Sequence, residues 1–141
     1  MTLERAPSAL PGVRYGAVER HIDERGSFRE LWRADAADVV ADATVFAPYV
    51  QVNLSTSAAG VLRGLHLHRR QRDYWVVASG RAFVALVDVR PLLDGSAPTP
   101  AVETRELPAD HWVVIPEGVA HGFLALEPLE MVYLVTNLYD G

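Results

Sequence analysis

The chain has 141 residues, half of them hydrophobic, enough for one core that folds without covalent staples. It contains no cysteine, which excludes disulfides, thiolate nucleophiles and cysteine-rich zinc sites, and a reducing, cytoplasmic setting is expected. The net charge of -5 disfavours a broad nucleic-acid-binding face, no apolar run reaches the roughly 20 residues of a membrane span, and "MTLERAPSALPG" lacks the apolar stretch of a signal peptide.

No repeat, low-complexity tract or linker divides the sequence, so a single domain over residues 1–141 is expected. Its N-terminal segment, about residues 1–22, is too short for a domain of its own and is a candidate for exchange with a second copy of the chain. After the turn "DERG" at Asp23–Gly26, "RADAADVVADA" (Arg33–Ala43) reads as one short helix, because Ala and Asp outnumber β-branched residues there. "YWVVAS" (Tyr74–Ser79) and "RAFVALVDV" (Arg81–Val89) read as strands flanking Ser79 and Gly80 as in a hairpin. Both alternating faces of "AFVALVDV" are apolar, which predicts a strand covered on both sides. "LDGSAPTP" (Leu93–Pro100) and "LPAD" (Leu107–Asp110) are turn signals. "HWVVIP" (His111–Pro116), "GFLAL" (Gly122–Leu126) and "MVYLVTNLY" (Met131–Tyr139) complete a series spaced as in an all-β sandwich or barrel.

The chemistry-bearing residues gather in "GVLRGLHLHRRQRD", Gly60–Asp73. Gly60, His66, His68, Asp73 and Gly80 follow at the spacing of the first signature of the cupin superfamily, with aspartate where glutamate is usual, and "PEGVAH" supplies Pro116, Gly118 and His121 in the order of the second. The resemblance implies a double-stranded β-helix, the cupin jelly roll, in agreement with the turn spacing. Residues two apart on a strand face the same way, so His66 and His68 would both point into the barrel. His21 and His111 belong to neither signature and read as hydrogen-bonded structural histidines.

Five blocks in the same order, "DERGSFRELWR", "VQVNLSTSAAGVLRGLH", "GRAFVALVDVR", "IPEGVAHGF" and "VYLVTNLYDG", resemble the dTDP-4-dehydrorhamnose 3,5-epimerases from about Asp23 onward. The resemblance implies an isomerase acting, without a cofactor, on a dTDP-linked 4-keto-6-deoxyhexose at C3, C5 or both, and the two-faced apolar strand and short N-terminal segment suggest a homodimer. It assigns His66 as base and Tyr133 as acid, Arg63 and Arg25 to the diphosphate and its surroundings, and Glu30, Gln51 and Asn53 to the nucleotide and sugar pocket. His68 and His121 fall among the substrate-binding positions, and Tyr139 lies where an aromatic could stack on the base. The residue types suit the chemistry, since removing a proton beside a keto group needs a poised base and inversion needs an acid on the opposite face. Without the resemblance, Arg25 and Glu30 read as solvated turn charges, Gln51 and Asn53 as satisfied strand polars, and Tyr133 and Tyr139 as aromatics with hydroxyls at the rim.

Three departures bring in alternatives. The epimerases continue beyond the "TNLY" region into a tail whose aspartate orients the base, whereas this sequence stops at Gly141. Asp73 stands where that family has a lysine, and His68 stands where it has glutamine; the resulting H-x-H resembles the sugar 3,4-ketoisomerases. His66, His68, Asp73 and His121 together form a possible ligand set for a divalent transition metal, as in a metal-dependent cupin oxygenase or lyase. A catalytically silent sugar-nucleotide binder is the remaining alternative.

Overall fold

A computed structural model describes residues 7–34 and 49–139 of the chain. The helix expected over 33–43 therefore lies largely outside the described residues; within them, Arg33 is coil and Ala34 a turn. The described residues form eleven strands: β1 (Arg14–Ala17), β2 (Arg20–Asp23), β3 (Gly26–Arg29), β4 (Gln51–Ser57), β5 (Leu62–His66), β6 (Asp73–Ser79), β7 (Arg81–Asp88), β8 (Ala101–Pro108), β9 (His111–Ile115), β10 (Val119–Ala125) and β11 (Leu129–Val135). One helical turn, α1 (Arg90–Leu93), follows β7 with Pro91 in its first turn, where a missing N–H costs nothing. No helix among the described residues is long and apolar enough to cross a membrane.

The strands build an all-β jelly roll of two facing antiparallel sheets, one ordered β1-β9-β6-β11-β4 and the other β5-β10-β7-β8, with β2 and β3 paired separately. The main core lies between the sheets, where Trp75, Val77, Val84, Leu86, Val113 and Met131 meet. A second cluster covers the outer face of the five-stranded sheet, where Tyr74, Val76, Trp112, Val114 and Leu134 pack under Val18, Leu31, Trp32 and Tyr49. β6 and β9 are thus buried on both faces and β7 is not, its outward Phe83 being 36% exposed. The apolar outer residues of β7 face solvent because nothing among the described residues covers the four-stranded sheet from outside.

Ser79 and Gly80 do not close the expected hairpin. They form a corner at which the chain leaves β6 in one sheet and enters β7 in the other. Gly80 has φ +86, and a Cβ there would lie 2.2 Å from the carbonyl oxygen of Pro128, so only glycine lets the two corners of the sandwich come this close. The strand β8 was not legible either: its alternating charges lie at a sheet edge on a half-buried face, where Glu103 accepts hydrogen bonds from Ser8, Ala9 and Tyr15 and Arg105 lies over the Tyr15 ring. β1 pairs with β9 of the same chain, so residues 14–17 of the segment expected to exchange are already engaged.

The β2–β3 hairpin is tethered through Asp110, which accepts hydrogen bonds from Arg20 (2.7 and 3.0 Å) and Arg29; Arg29 also donates to the Ala78 carbonyl. The Arg20 hydrogen bond, joined by Arg29, holds the Asp110 carboxyl below its ordinary value against the opposing effect of burial. A folded-state pKa below the unfolded one means that this contribution is complete above about pH 4 and is lost as the pH falls further. Asp110→Asn is expected to lower stability at neutral pH and to flatten part of the acid slope, measured by denaturant unfolding between about pH 6 and about pH 3. An unchanged slope would separate Asp110 from the acid response.

Candidate functional site

A cleft of about 670 Å³ opens between the sheets, and residues of both walls line it. Gln51, Asn53 and Ser55 reach it from β4, Asp73 and Trp75 from β6, and Tyr133 and Val135 from β11; the opposite wall gives Arg63 and His66 from β5 and His121 and Phe123 from β10. His68 and Gln71 enter from the β5–β6 connection, and Asn137 and Tyr139 from the segment after β11. The inward row of β4 is polar and its outward row apolar: Val52 and Leu54 are 64% and 61% exposed while Gln51, Asn53 and Ser55 turn inward. That inversion of the usual strand pattern makes one wall of the interior able to bind a polar ligand.

The polar groups are held in place by one another. Gln51 donates to the Asn53 side chain at 2.9 Å and accepts from the Tyr139 backbone N–H at 3.1 Å, fixing an aromatic that is 83% exposed at the rim. Arg63 donates to the Ser57 hydroxyl at 2.8 Å and to the Thr56 carbonyl at 3.1 Å, bridging the two sheets with two of its five N–H groups. Asp73 is buried; it accepts from Gln71 at 2.9 Å and from the Trp75 indole at 3.2 Å. His121 is buried beside it, with Nε2 3.6 Å from the Asp73 carboxylate and Nδ1 donating to the Val119 carbonyl at 3.0 Å. Burial holds the His121 imidazole below its ordinary pKa; the Asp73 carboxylate opposes that, while His68 and His66 reinforce it.

Strand parity placed His66 and His68 on one face, and both border the cleft, although β5 ends at His66 and His68 lies beyond it. The four-residue metal set divides: His68, Asp73 and His121 offer ligand atoms that all lie within 4.8 Å of one another, and His66 is not part of that group. The His66 ring centroid is 6.4 Å from that of His121, against 5.3 Å for His68. Arg25 and Glu30 do not border the cleft. Arg25 sits exposed at the tip of the hairpin, paired with Asp23 at 2.5 Å, and Glu30 pairs with Arg33 at 3.2 Å beside a separate depression formed by Trp32, Tyr74 and Trp112. The hairpin forms its own two-stranded sheet, which carries both residues away from the barrel mouth of this chain. His111 hydrogen-bonds the Ala109 carbonyl at 3.0 Å, as a structural histidine, whereas His21 is exposed on the hairpin.

Sequence reasoning missed Ser55, Gln71, Trp75 and Asn137. Ser55 carries a buried hydroxyl on the cleft wall without a hydrogen-bond partner among the described residues, and the polar inward alternation of "QVNLSTS" was the signal that could have found it. Trp75 packs edge-on against His121 (5.1 Å) and Phe123 (5.6 Å), a contact that no local pattern announces.

The approach of β5 to β10 rests on two facing glycines. A Cβ on Gly122 would lie 2.7 Å from the Arg63 carbonyl oxygen, and one on Gly64 would lie 2.6 Å from the Gly122 Cα. Gly122→Ala is expected to push β5 outward with Arg63 and His66 on it, and to lower Tm by roughly 3–10 °C through overpacking. A calorimetric scan with unchanged Tm would refute the close contact.

Residues 7–141 match the sequence model of a family described as dTDP-4-dehydrorhamnose 3,5-epimerase. Among curated proteins, a Bacillus subtilis spore coat polysaccharide biosynthesis protein is 31% identical over 93% of this chain and 83% of its own length. The dTDP-4-dehydrorhamnose 3,5-epimerase of Mycobacterium tuberculosis is 40% identical over 93% of this chain, which spans 65% of that protein's length; for the Neisseria gonorrhoeae enzyme the share is 40%. Among solved structures, a 3'-monoepimerase from Streptomyces bikiniensis in complex with dTDP-quinovose superposes with a TM-score of 0.80 at 27% identity, covering 95% of this chain and 68% of that one.

Proposed function

Because the chain belongs to the dTDP-4-dehydrorhamnose 3,5-epimerase family, we propose that it is an isomerase that inverts C3, C5 or both of a dTDP-linked 4-keto-6-deoxyhexose. The observation that carries this reading is the placement of His66 and Tyr133 on opposite sheets, β5 and β11, with one cleft between them. A sugar ring lying in that cleft presents one face to each wall. His66 removes the proton beside the keto group from one face, and the Tyr133 hydroxyl returns one to the other. The proton traffic is carried by side chains and calls on no redox cofactor. Arg63 has donors to spare for the diphosphate, which forked guanidinium groups bind well. The exposed ring of Tyr139 offers a stacking face for the base, and Gln51, Asn53 and Ser55 offer hydrogen bonds to the sugar. The lack of cysteine is in keeping with a cytoplasmic enzyme.

A homodimer belongs to the same proposal. β4 ends the five-stranded sheet, so one of its edges is unpaired among the described residues, and Val50, Val52 and Leu54 form an exposed apolar row beside it. Open edges carrying such rows are where strands of a second chain add on. The hairpin that takes Arg25 and Glu30 out of this chain's cleft could bring them to the partner's. Light scattering is expected to give a dimer at micromolar concentration, and Leu54→Lys, on the solvent face, to shift it toward monomer with the fold intact. A wild-type monomer would count against the arrangement.

The reaction is tested by incubating the protein with the keto sugar in deuterated water. His66→Ala is expected to abolish both deuterium incorporation and turnover. Tyr133→Phe keeps the ring packing, so it should still wash deuterium into the substrate while inversion falls by about 10²–10⁴-fold. Undiminished inversion in Tyr133→Phe would sink the two-walled mechanism, and a product with its carbonyl at C3 would make the protein a 3,4-ketoisomerase.

A further inference from the structure

We propose that His68 is the hydrogen-bond donor that holds the keto oxygen of the sugar as it becomes an enolate, a role that rests on the isomerase function proposed above. When the C–H bond beside the carbonyl breaks, its proton passes to His66 and its electron pair shifts toward the carbonyl, leaving negative charge on that oxygen. A donor already in place at the oxygen lowers the barrier to this step.

The direction of the oxygen follows from the ring. In a pyranose, C4 lies across the ring from C1, which carries the diphosphate. Arg63 bridges β5 and β4, an edge strand of each sheet, so a diphosphate bound there turns the C4 oxygen away from that edge, toward β6 and β10 inside the sheets. On that side the Gln71 amide and the Trp75 indole are turned onto Asp73. The Val119 carbonyl can only accept, so the Nδ1 that bonds it carries a proton of His121 that never reaches the cleft. What Asp73 and His121 offer there is lone pairs, with the carboxylate 3.6 Å from Nε2, and lone pairs repel an oxyanion. His68 is the exception. It borders the cleft, half-buried on the β5–β6 connection, with a ring nitrogen within 4.8 Å of both the Asp73 carboxylate and His121, and it hydrogen-bonds none of the described residues. An imidazole carries an N–H in either protonation state, so His68 has a donor to give where its neighbours have acceptors.

The test follows, in the full chain, solvent deuterium entering the keto sugar, the rate of inversion and, by calorimetry, the affinity for dTDP. His68→Phe keeps a planar ring and removes both nitrogens. Exchange and inversion are expected to fall together by about 10²–10³-fold, while dTDP, which has no keto oxygen, binds within about threefold of the wild type. Tyr133→Phe differs, because there exchange survives the loss of inversion. His68→Gln returns an N–H at similar reach and is expected to recover at least about tenfold of the lost rate. Circular dichroism confirms folding, and His68→Ala replaces His68→Phe if the phenyl ring prevents it. Exchange at the wild-type rate in His68→Phe would overturn the proposal alone, as would an equal loss of dTDP affinity or no recovery in His68→Gln, with the isomerase function left standing. A wild type that exchanges no deuterium would overturn both.

Discussion

Asp73 opens β6 and is 4% exposed, at the border between the cleft and the apolar inter-sheet core. A buried carboxylate is tolerated only when hydrogen bonds or positive charge replace the water it has lost. The Gln71 amide and the Trp75 indole supply hydrogen bonds, and His121 supplies a ring nitrogen at 3.6 Å. These partners come from three places in the chain: the loop entering β6, β6 itself, and β10 in the facing sheet. The inner end of the cleft is therefore polar because one acidic side chain is held there, and the positions of Trp75 and His121 are consequences of satisfying it. Trp75 in turn packs against Phe123, tying this polar cluster to the inter-sheet core.

Both walls of the cleft depart from ordinary sheet construction, and each departure serves access. On one side β4 turns Gln51, Asn53 and Ser55 inward and leaves Val52 and Leu54 in solvent. The exposed apolar row destabilises a lone chain relative to one in which it is covered, and the proposed homodimer would cover it. On the other side Gly64 and Gly122 bring β5 and β10 together where the register shifts between His121 and Phe123. A regular ladder with side chains at both positions would hold β5 farther out and open the cleft at the level of the histidines.

Much of the architecture was legible because the strands of the five-stranded sheet are dense in β-branched and aromatic residues: "YWVVAS" and "HWVVIP" are buried on both faces and could be little else. What failed was connectivity. A Ser-Gly pair between two apolar runs has the same local grammar whether the chain doubles back within a sheet or crosses to the facing one, and the choice at Gly80 is made by Pro128, some fifty residues away. β8 escaped notice because Glu103, Arg105 and Glu106 interrupt the apolar pattern of a strand, two of them held by contacts with the distant Tyr15, and α1 because its single turn has no periodicity to detect. In the site, the histidines were legible from strand parity and spacing. Their division was not, since β5 ends at His66 and the position of His68 is set by the loop and by its distance from His121. Arg25 and Glu30 show the limit of reading roles by resemblance: block order says which residues a family uses but not which surface of one chain they occupy.

The division of the three histidines follows from the fold. His121 is on β10, inside its sheet between β5 and β7, and is buried with its Nδ1 committed to the backbone; a ring so fixed can hold a ligand but is poorly placed to exchange protons with solvent. His66 is on β5, the edge strand of the same sheet, exposed at the cleft wall. A base that must take a proton from carbon and later release it needs that access, and it needs an acid across the cleft and not beside it. Tyr133 meets the second requirement because β11 lies inside the opposite sheet, between β6 and β4, where its register with Asn53 and Trp75 holds the ring. In the proposed mechanism, edge against interior separates the group that moves protons from the group that holds charge, and sheet against sheet separates abstraction from return. One antiparallel sandwich supplies both separations from strands whose inward residues would, in a plain structural domain, simply have been apolar.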